Sequence, residues 1–360
     1  MAGGTGGHLF PAMALAQELR RRGHDVQLMT DHRVATYGAD FPASAIHVVP
    51  SATPSVRNPV TFVLAGLRIV WGIGVAIGKL VRIRPDAVVG FGGYPVFPPF
   101  MAASLLGVPG ILQEQNAVMG RANRALARYA RRIALSFPRT KYAEAFSGKS
   151  DVVGNPMRDR VRALAGARYP ALSDVEPLRL LVVGGSQGAR IFADLVPPAI
   201  ALLPEPMRGR LRIVQQARAE DLDRVADAYR QLKVNVELAP FFADLPERMA
   251  AAHLVVCRSG ASTVTELAAI GRPAIFVPLP GSIDADQKNN ALVIEAAGGG
   301  WIADQATLTP QSLGTRLTSL FGDPAALQRA AAAAAALGRP DAVSRLADMA
   351  ITMAQKGKTA

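Results

Sequence analysis

The sequence predicts an α/β protein made of two doubly wound, Rossmann-like domains whose parallel sheets face one cleft. Three observations carry that expectation. Two glycine-rich turns stand far apart in the chain, residues 3–8 (GGTGGH) and 184–189 (GGSQGA). Short apolar runs alternate with helical stretches on both sides of the second turn, the pattern of a parallel sheet with helices on both faces. At 360 residues the chain also exceeds the size at which a single hydrophobic core stops growing.

Each element has a local reason. After the first turn, residues 11–22 read as a helix, and strand-like runs follow at 25–30, 87–91, 108–112 and 132–136. Residues 151–156 end this series, and the Ser/Pro/Glu-bearing stretch 166–177 reads as the interdomain connection. The second half repeats the grammar with strands at 178–183, 211–215, 234–238, 253–257 and 273–277. Helices are expected at 188–202, 219–232, 243–251, 262–270 and 287–297. The Ala-rich tail 323–355 is helical with a break at Gly338-Arg339-Pro340. The first glycine turn begins at residue 3 and so lacks the strand that should feed it. In a doubly wound domain that strand is central, so an open slot in the first sheet is expected, as in a chain whose natural start lies some ten residues before Met1.

Half of the residues are apolar and 19% are charged, which excludes a disordered chain. The single cysteine, Cys257, ends an apolar run, so no disulfide framework and no cysteine metal site is expected, as suits a reducing cytosol. No charged n-region with an apolar h-region opens the chain, so no secretion signal is expected. The net charge of +12 is unevenly spread: residues 1–160 hold 19 Lys/Arg against 9 Asp/Glu, residues 161–360 hold 21 against 19. A basic first half points to an anionic partner. With 6% aromatics and no basic–aromatic interleaving, nucleic acid is not expected, and an anionic membrane surface fits better.

Residues 60–78 are apolar enough to suggest a transmembrane helix, but Arg68 would sit near the bilayer centre and four glycines interrupt the run. Cations at Arg57, Arg68, Lys79, Arg82 and Arg84 suit instead a surface helix dipping one apolar side into the interface. The plainer alternative is one or two amphipathic helices packed on a sheet.

Several residues carry candidate chemistry. A strand-to-helix glycine turn aims backbone N–H groups and a helix N-terminus at a phosphate. Neither turn is a strict G-x-G-x-x-G, and no acidic residue takes the ribose position of a dehydrogenase. The stretch 258–268 (RSGASTVTELA) follows a buried strand and offers free N–H groups, hydroxyls and a positive dipole end to a diphosphate. Arg258 would add charge there, and Glu266 would accept two hydrogen bonds from a ribose diol. Thr263-x-x-Glu266 is equally a capping box, which needs no ligand. Gln287 and Asn290 share a helical face where amides read sugar hydroxyls, or they belong to a polar first turn. His8 ends a glycine turn and is either a general base or a structural hydrogen-bonder. Glu114-Gln115-Asn116 and Gly92-Gly93-Tyr94 follow strand ends, where α/β sheets place ligands. No H-E-x-x-H, Walker lysine or D-x-D is visible, so neither a protein-bound metal nor a cofactor is expected.

Taken together, residues 3–8 (GGTGGH), 92–94, 114–116, 154–156 (GNP), 184–190 (GGSQGAR), 258–261 (RSGA) and Gln287 with Asn290 closely resemble the MurG family of bacterial peptidoglycan transferases. The match runs from residue 2 nearly to the end. The resemblance implies the GT-B arrangement, with residues 1–157 as acceptor- and membrane-binding domain and 158–340 as UDP-sugar domain. The helix 341–360 is expected to pack back on the first. It implies inverting transfer of N-acetylglucosamine from UDP-N-acetylglucosamine to the muramoyl 4-hydroxyl of undecaprenyl-linked muramoyl-pentapeptide, at the cytoplasmic face of the inner membrane, peripherally. By position, Thr5, Gly6, Gly7 and Asn116 hold the sugar-donor complex from the first domain, and Arg158 and Ser186 reach it from the second. Phe242 presents its backbone to uracil, Ala261, Ser262, Thr263, Val264, Thr265 and Glu266 hold diphosphate and ribose, and Gln287 contacts the sugar. His8 is the leading base and Glu114 the second. Rival readings are another UDP-sugar enzyme, such as a glycolipid transferase or UDP-N-acetylglucosamine 2-epimerase, and a non-catalytic membrane adaptor.

Overall fold

A computed structural model of the chain describes residues 1–3, 6–32, 41–53, 58–173, 175–185 and 188–358. It divides into two compact units, Met1–Asp159 with Pro340–Ala360, and Arg160–Arg339.

The first unit holds parallel strands β1 (Gln27–Thr30), β2 (Ala45–Val48), β3 (Val88–Gly90), β4 (Gly110–Glu114), β5 (Arg132–Leu135) and β6 (Ser150–Val152). They form two ladders, β1-β2 and β3-β4-β5-β6. Met1 and Ala2 bridge them. The Met1 amine donates to the Val89 carbonyl at 2.8 Å, the Phe91 N–H to the Met1 carbonyl at 2.9 Å, and the Ala2 N–H to the Met29 carbonyl at 3.2 Å. An apolar cavity of about 400 Å³ lies beside this bridge, lined by Leu15, Leu28, Val89 and Ala350 among others. Burial there pushes the Met1 ammonium down to about 5.

Helix α1 (Gly6–Arg21) starts five residues before the expected 11, so Gly6, Gly7 and His8 form its first turn. Helix α2 (Pro59–Ile83) is one continuous helix. Asn58 caps it by accepting from the Val60 and Thr61 N–H groups, and Pro59 supplies a pre-set φ at the first position. Its inner face is small: Ala65, Gly72, Ala76 and Leu80 are buried. A Cβ on Gly72 would lie 2.0 Å from the Pro50 carbonyl oxygen, so no side chain fits there and α2 lies close against the segment around Pro50. Helix α3 (Phe97–Leu105) packs beside it. The C-terminal helix Ala342–Lys358 returns to the first unit and packs on α1, burying Leu346, Ala347 and Ala350 with Leu9 and Leu15.

The second unit is one parallel sheet of β7 (Leu178–Val183), β8 (Leu211–Gln216), β9 (Asn235–Ala239), β10 (Leu254–Cys257), β11 (Ala274–Phe276) and β12 (Gly300–Ile302). Their spatial order is β12-β11-β10-β7-β8-β9. Strand β12, like β2, is short and escaped the sequence reading. Helices α4 (Arg190–Ala201), α5 (Ala261–Ile270) and α6 (Asp286–Ala296) follow β7, β10 and β11. The core is built from alternate residues of these strands, such as Leu180, Val182 and Val256, against Phe192, Val196 and Ile200 of α4. Cys257 is fully buried, and burial pushes its thiol up.

The stretch 166–177, expected as a connection, is instead part of the second unit. The Gly166 N–H donates to the Ala269 carbonyl, and Arg272, 2% exposed, donates to the carbonyls of Ala167, Arg168 and Ala250. A buried guanidinium needs acceptors around its whole fork, and this stretch provides two of them.

Candidate functional site

In the first unit three turns converge on one side chain. His8, in the first turn of α1, places Nδ1 3.2 Å from Gln115 Oε1 at the end of β4. A Cβ built on Gly93 would stand 3.3 Å from His8 Cδ2, and one on Gly3 would stand 3.5 Å away. Gly92 and Gly93 have φ of +80° and +77°, a region that only glycine enters freely, so this close approach to the ring depends on glycine. Tyr94 donates from its hydroxyl to Asp31, which is buried.

Glu114, proposed from sequence as second base, is 1% exposed. Oε1 accepts from the Asn116 N–H at 3.0 Å, and Oε2 from the Gly120 N–H at 2.9 Å and Asn123 Nδ2 at 2.8 Å. Burial pushes its carboxyl above the ordinary carboxylate value against the pull of these donors. With both oxygens engaged, the carboxylate holds the loop after β4 and aims Asn116. Gly7 is exposed, with nothing near a built Cβ, and Gly6 packs under Phe10. Arg158 was expected in the second domain. It belongs to the first unit, its guanidinium 5.2 Å from the centre of the Phe10 ring, because chain contacts divide after Asp159. Thr5 lies outside the described residues.

In the second unit the strand order reverses between β7 and β10, and α/β sheets place their ligands outside the carboxyl ends of the strands at such a switch point. Cys257 pairs with Val183, so the two turns that follow these strands are neighbours. At Gly184 a Cβ would lie 2.2 Å from the Ala189 nitrogen, which obliges glycine there. Helix α5 starts at Ala261 with Gly260 as N-cap and no side-chain cap. This overturns the capping box: Thr263 is the third helical residue, and Glu266 lies in the second turn, 8% exposed. Val264 donates to the Gly260 carbonyl, so the N–H groups of Ala261, Ser262 and Thr263 precede the first intrahelical bond. Val264 is buried, and the Thr265 hydroxyl bonds back to the Ala261 carbonyl at 2.8 Å.

The other candidates split between ligand-facing and framework roles. Arg258 turns inward, donating to the Val277 and Pro278 carbonyls with its guanidinium 5.5 Å from the centre of the Phe192 ring, so its fork supports the turn. Asn290, fully buried, donates to the Ser259 carbonyl. Gln287 Oε1 accepts from the Leu279 N–H at 3.0 Å. Phe242 is buried beneath Arg248, whose guanidinium is 4.3 Å from the ring centre. Ser186 lies outside the described residues. Gln216, absent from the sequence reading, ties these parts together. It accepts from the Gly184 N–H and donates to the Gly185 and Pro240 carbonyls, fixing the second glycine turn and the approach to Phe242. The available signal was a glutamine at the carboxyl end of a strand, on the side of the sheet where the glycine turn is expected. Among the described residues no group of three or more His, Cys, Asp and Glu side chains is placed to hold a metal ion.

Two parallel α/β units, each with a glycine turn and an N-terminal helix turn at the strand ends, define a glycosyltransferase fold. The glycosyltransferase family 28 N-terminal domain matches residues 1–135, and the family 28 C-terminal domain matches residues 179–346. The chain is 54% identical over 360 residues to the UDP-N-acetylglucosamine–N-acetylmuramyl-(pentapeptide) pyrophosphoryl-undecaprenol N-acetylglucosamine transferase of Methylobacterium sp. (strain 4-46), covering 99% of this chain and 97% of the relative. The protein of that name from Methylobacterium radiotolerans is 52% identical with the same coverage. The crystal structure of Acinetobacter baumannii MurG superposes with a TM-score of 0.80 at 31% identity, over 98% of both chains. The chain belongs to the MurG family within glycosyltransferase family 28.

Proposed function

We infer that this chain transfers N-acetylglucosamine from UDP-N-acetylglucosamine to the 4-hydroxyl of undecaprenyl-diphospho-muramoyl-pentapeptide, the lipid I to lipid II step of peptidoglycan synthesis. The observation that carries this reading is the 54% identity, over nearly the whole chain, to a relative named for that transfer. In the proposed step the muramoyl 4-hydroxyl oxygen bonds to the anomeric carbon. The bond from that carbon to the β-phosphate oxygen breaks, UDP leaves with the electron pair, and the hydroxyl proton passes to His8. Attack from the face opposite the leaving group inverts the configuration.

The donor's diphosphate suits the three N–H groups opening α5, where the helix dipole and unsatisfied donors favour an anion. Glu266, one turn further, takes the ribose hydroxyls, Gln287 the sugar, and the Phe242 backbone the uracil. Titration of UDP-N-acetylglucosamine into the full chain by calorimetry should show binding, and lipid-linked disaccharide should form when acceptor is added. Interconversion of the donor with its 2-epimer, without acceptor, would favour the epimerase; absence of donor binding would favour the adaptor.

Helix α2 supports the membrane part of the reading. It is long and apolar enough to span a bilayer by length and composition, yet only 17% of its apolar window is buried. Val60, Val63, Leu64, Leu67, Val70 and Trp71 are each more than half exposed, an apolar surface larger than soluble monomers usually leave uncovered. Arg68, Arg82 and Arg84 are exposed beside it. We place this face in the headgroup region of the inner membrane's cytoplasmic leaflet, as a peripheral contact. Charge reversal at Arg68 and Lys79 is expected to weaken partitioning onto anionic vesicles by about 1 kcal/mol per cation and to spare turnover of a soluble acceptor. Partitioning that stays unchanged across a salt series would remove the electrostatic contribution.

A further inference from the structure

We propose that Gln115 is a positioning residue that holds His8 in the Nδ1–H tautomer and so puts the basic lone pair on Nε2. The catalytic consequence rests on the reading of His8 as base; the tautomer itself does not.

The argument is one of donor and acceptor direction. Gln115 is 1% exposed, and its amide nitrogen faces acceptors only: the Phe91 carbonyl at 2.8 Å, the Gln113 carbonyl at 3.4 Å and Gln113 Oε1. The carboxamide therefore cannot be flipped, and Oε1 is the atom that meets His8 Nδ1. The direction is set further back. The Ser136 hydroxyl donates to the Glu114 carbonyl at 2.8 Å and accepts from Gln113 Nε2 at 3.1 Å. That leaves Gln113 Oε1 to accept from Gln115 and Gln115 Oε1 to accept from His8. An amide oxygen has no proton to give, so Nδ1 must carry one. All three chain members are buried, Gln113 fully, so water does not compete for these bonds.

The chain is neutral throughout. None of its members stabilises an imidazolium as the carboxylate of a His–carboxylate pair would, and none can relay the proton onward. Glu114 is engaged with the loop after β4, Asp31 accepts from Tyr94, and the Arg158 guanidinium stands over Phe10.

The test combines nitrogen NMR with kinetics on the full chain. With ¹⁵N-labelled histidine, and His8→Ala to assign the resonance, His8 should show a protonated Nδ1 and an unprotonated Nε2 at neutral pH. The Nε2–H tautomer in the wild-type chain would overturn the proposal, whatever any variant does. Gln115→Met should lower kcat about tenfold with the KM for UDP-N-acetylglucosamine within about twofold. Gln115→Glu should move the acidic limb of the kcat/KM profile upward by about one pH unit, because an anion then faces the ring. In a His8→Ala background Gln115→Met should cost nothing further; an added tenfold loss would show that Gln115 acts independently of His8 and would sink the positioning role. Failure of the base reading looks different: His8→Ala would then keep its activity and acidic limb while the wild-type tautomer stays Nδ1–H.

Discussion

Replacing His8 with alanine is expected to lower kcat by about 10²–10⁴-fold with donor affinity little changed, the range that loss of a positioned general base produces. The acidic limb of the kcat/KM profile should vanish with it, since below that limb the imidazole is already protonated and cannot accept the acceptor's proton. His8 lies in the first turn of α1, and its ring is held by Gln115 and closely flanked by the Gly93 turn, where a side chain would crowd it. The oxygens of Glu114, the second candidate, already accept from Asn116, Gly120 and Asn123. A variant that keeps more than a tenth of kcat would shift the role to Glu114 or to no general base at all.

Glu266→Ala is expected to weaken UDP-N-acetylglucosamine binding by about 2–4 kcal/mol, the loss of two charge-assisted hydrogen bonds to a ribose diol. Calorimetry should report this as a roughly 30- to 1,000-fold rise in Kd. The fold should not lose the roughly 1 kcal/mol that a missing cap costs, because Gly260 caps α5 and Glu266 lies in its second turn. Donor affinity within about twofold of wild type, together with a lowered melting temperature, would return Glu266 to a purely structural role.

Most of the parallel sheet was legible in the sequence because buried strands are short runs of apolar residues with few competing patterns. Strand β7 falls on the expected 178–183, and α5 begins one residue from the expected 262. The elements that escaped were those whose order depends on neighbours. The three-residue β12 exists because β11 offers it an edge, and β2 because β1 does. The start of α1 lies earlier than expected because two glycines at its first turn argue against a helix by propensity.

The sequence by itself determined the two-domain parallel architecture, the glycine turns, the stretch 258–266 and the family, since these rest on residue types at fixed spacings. Only the tertiary structure decided which atoms of those residues are available. It turned Arg258 toward the Val277 and Pro278 carbonyls, engaged both oxygens of Glu114, and assigned Arg158 to the first unit. It also brought Gln115 and Gln216, from the ends of two strands, onto His8 and the second glycine turn. A residue type specifies which hydrogen bonds a side chain can make; which of them is left for a ligand depends on partners distant in sequence, 107 residues away for His8 and Gln115, and only folding brings those partners within 3 Å or so.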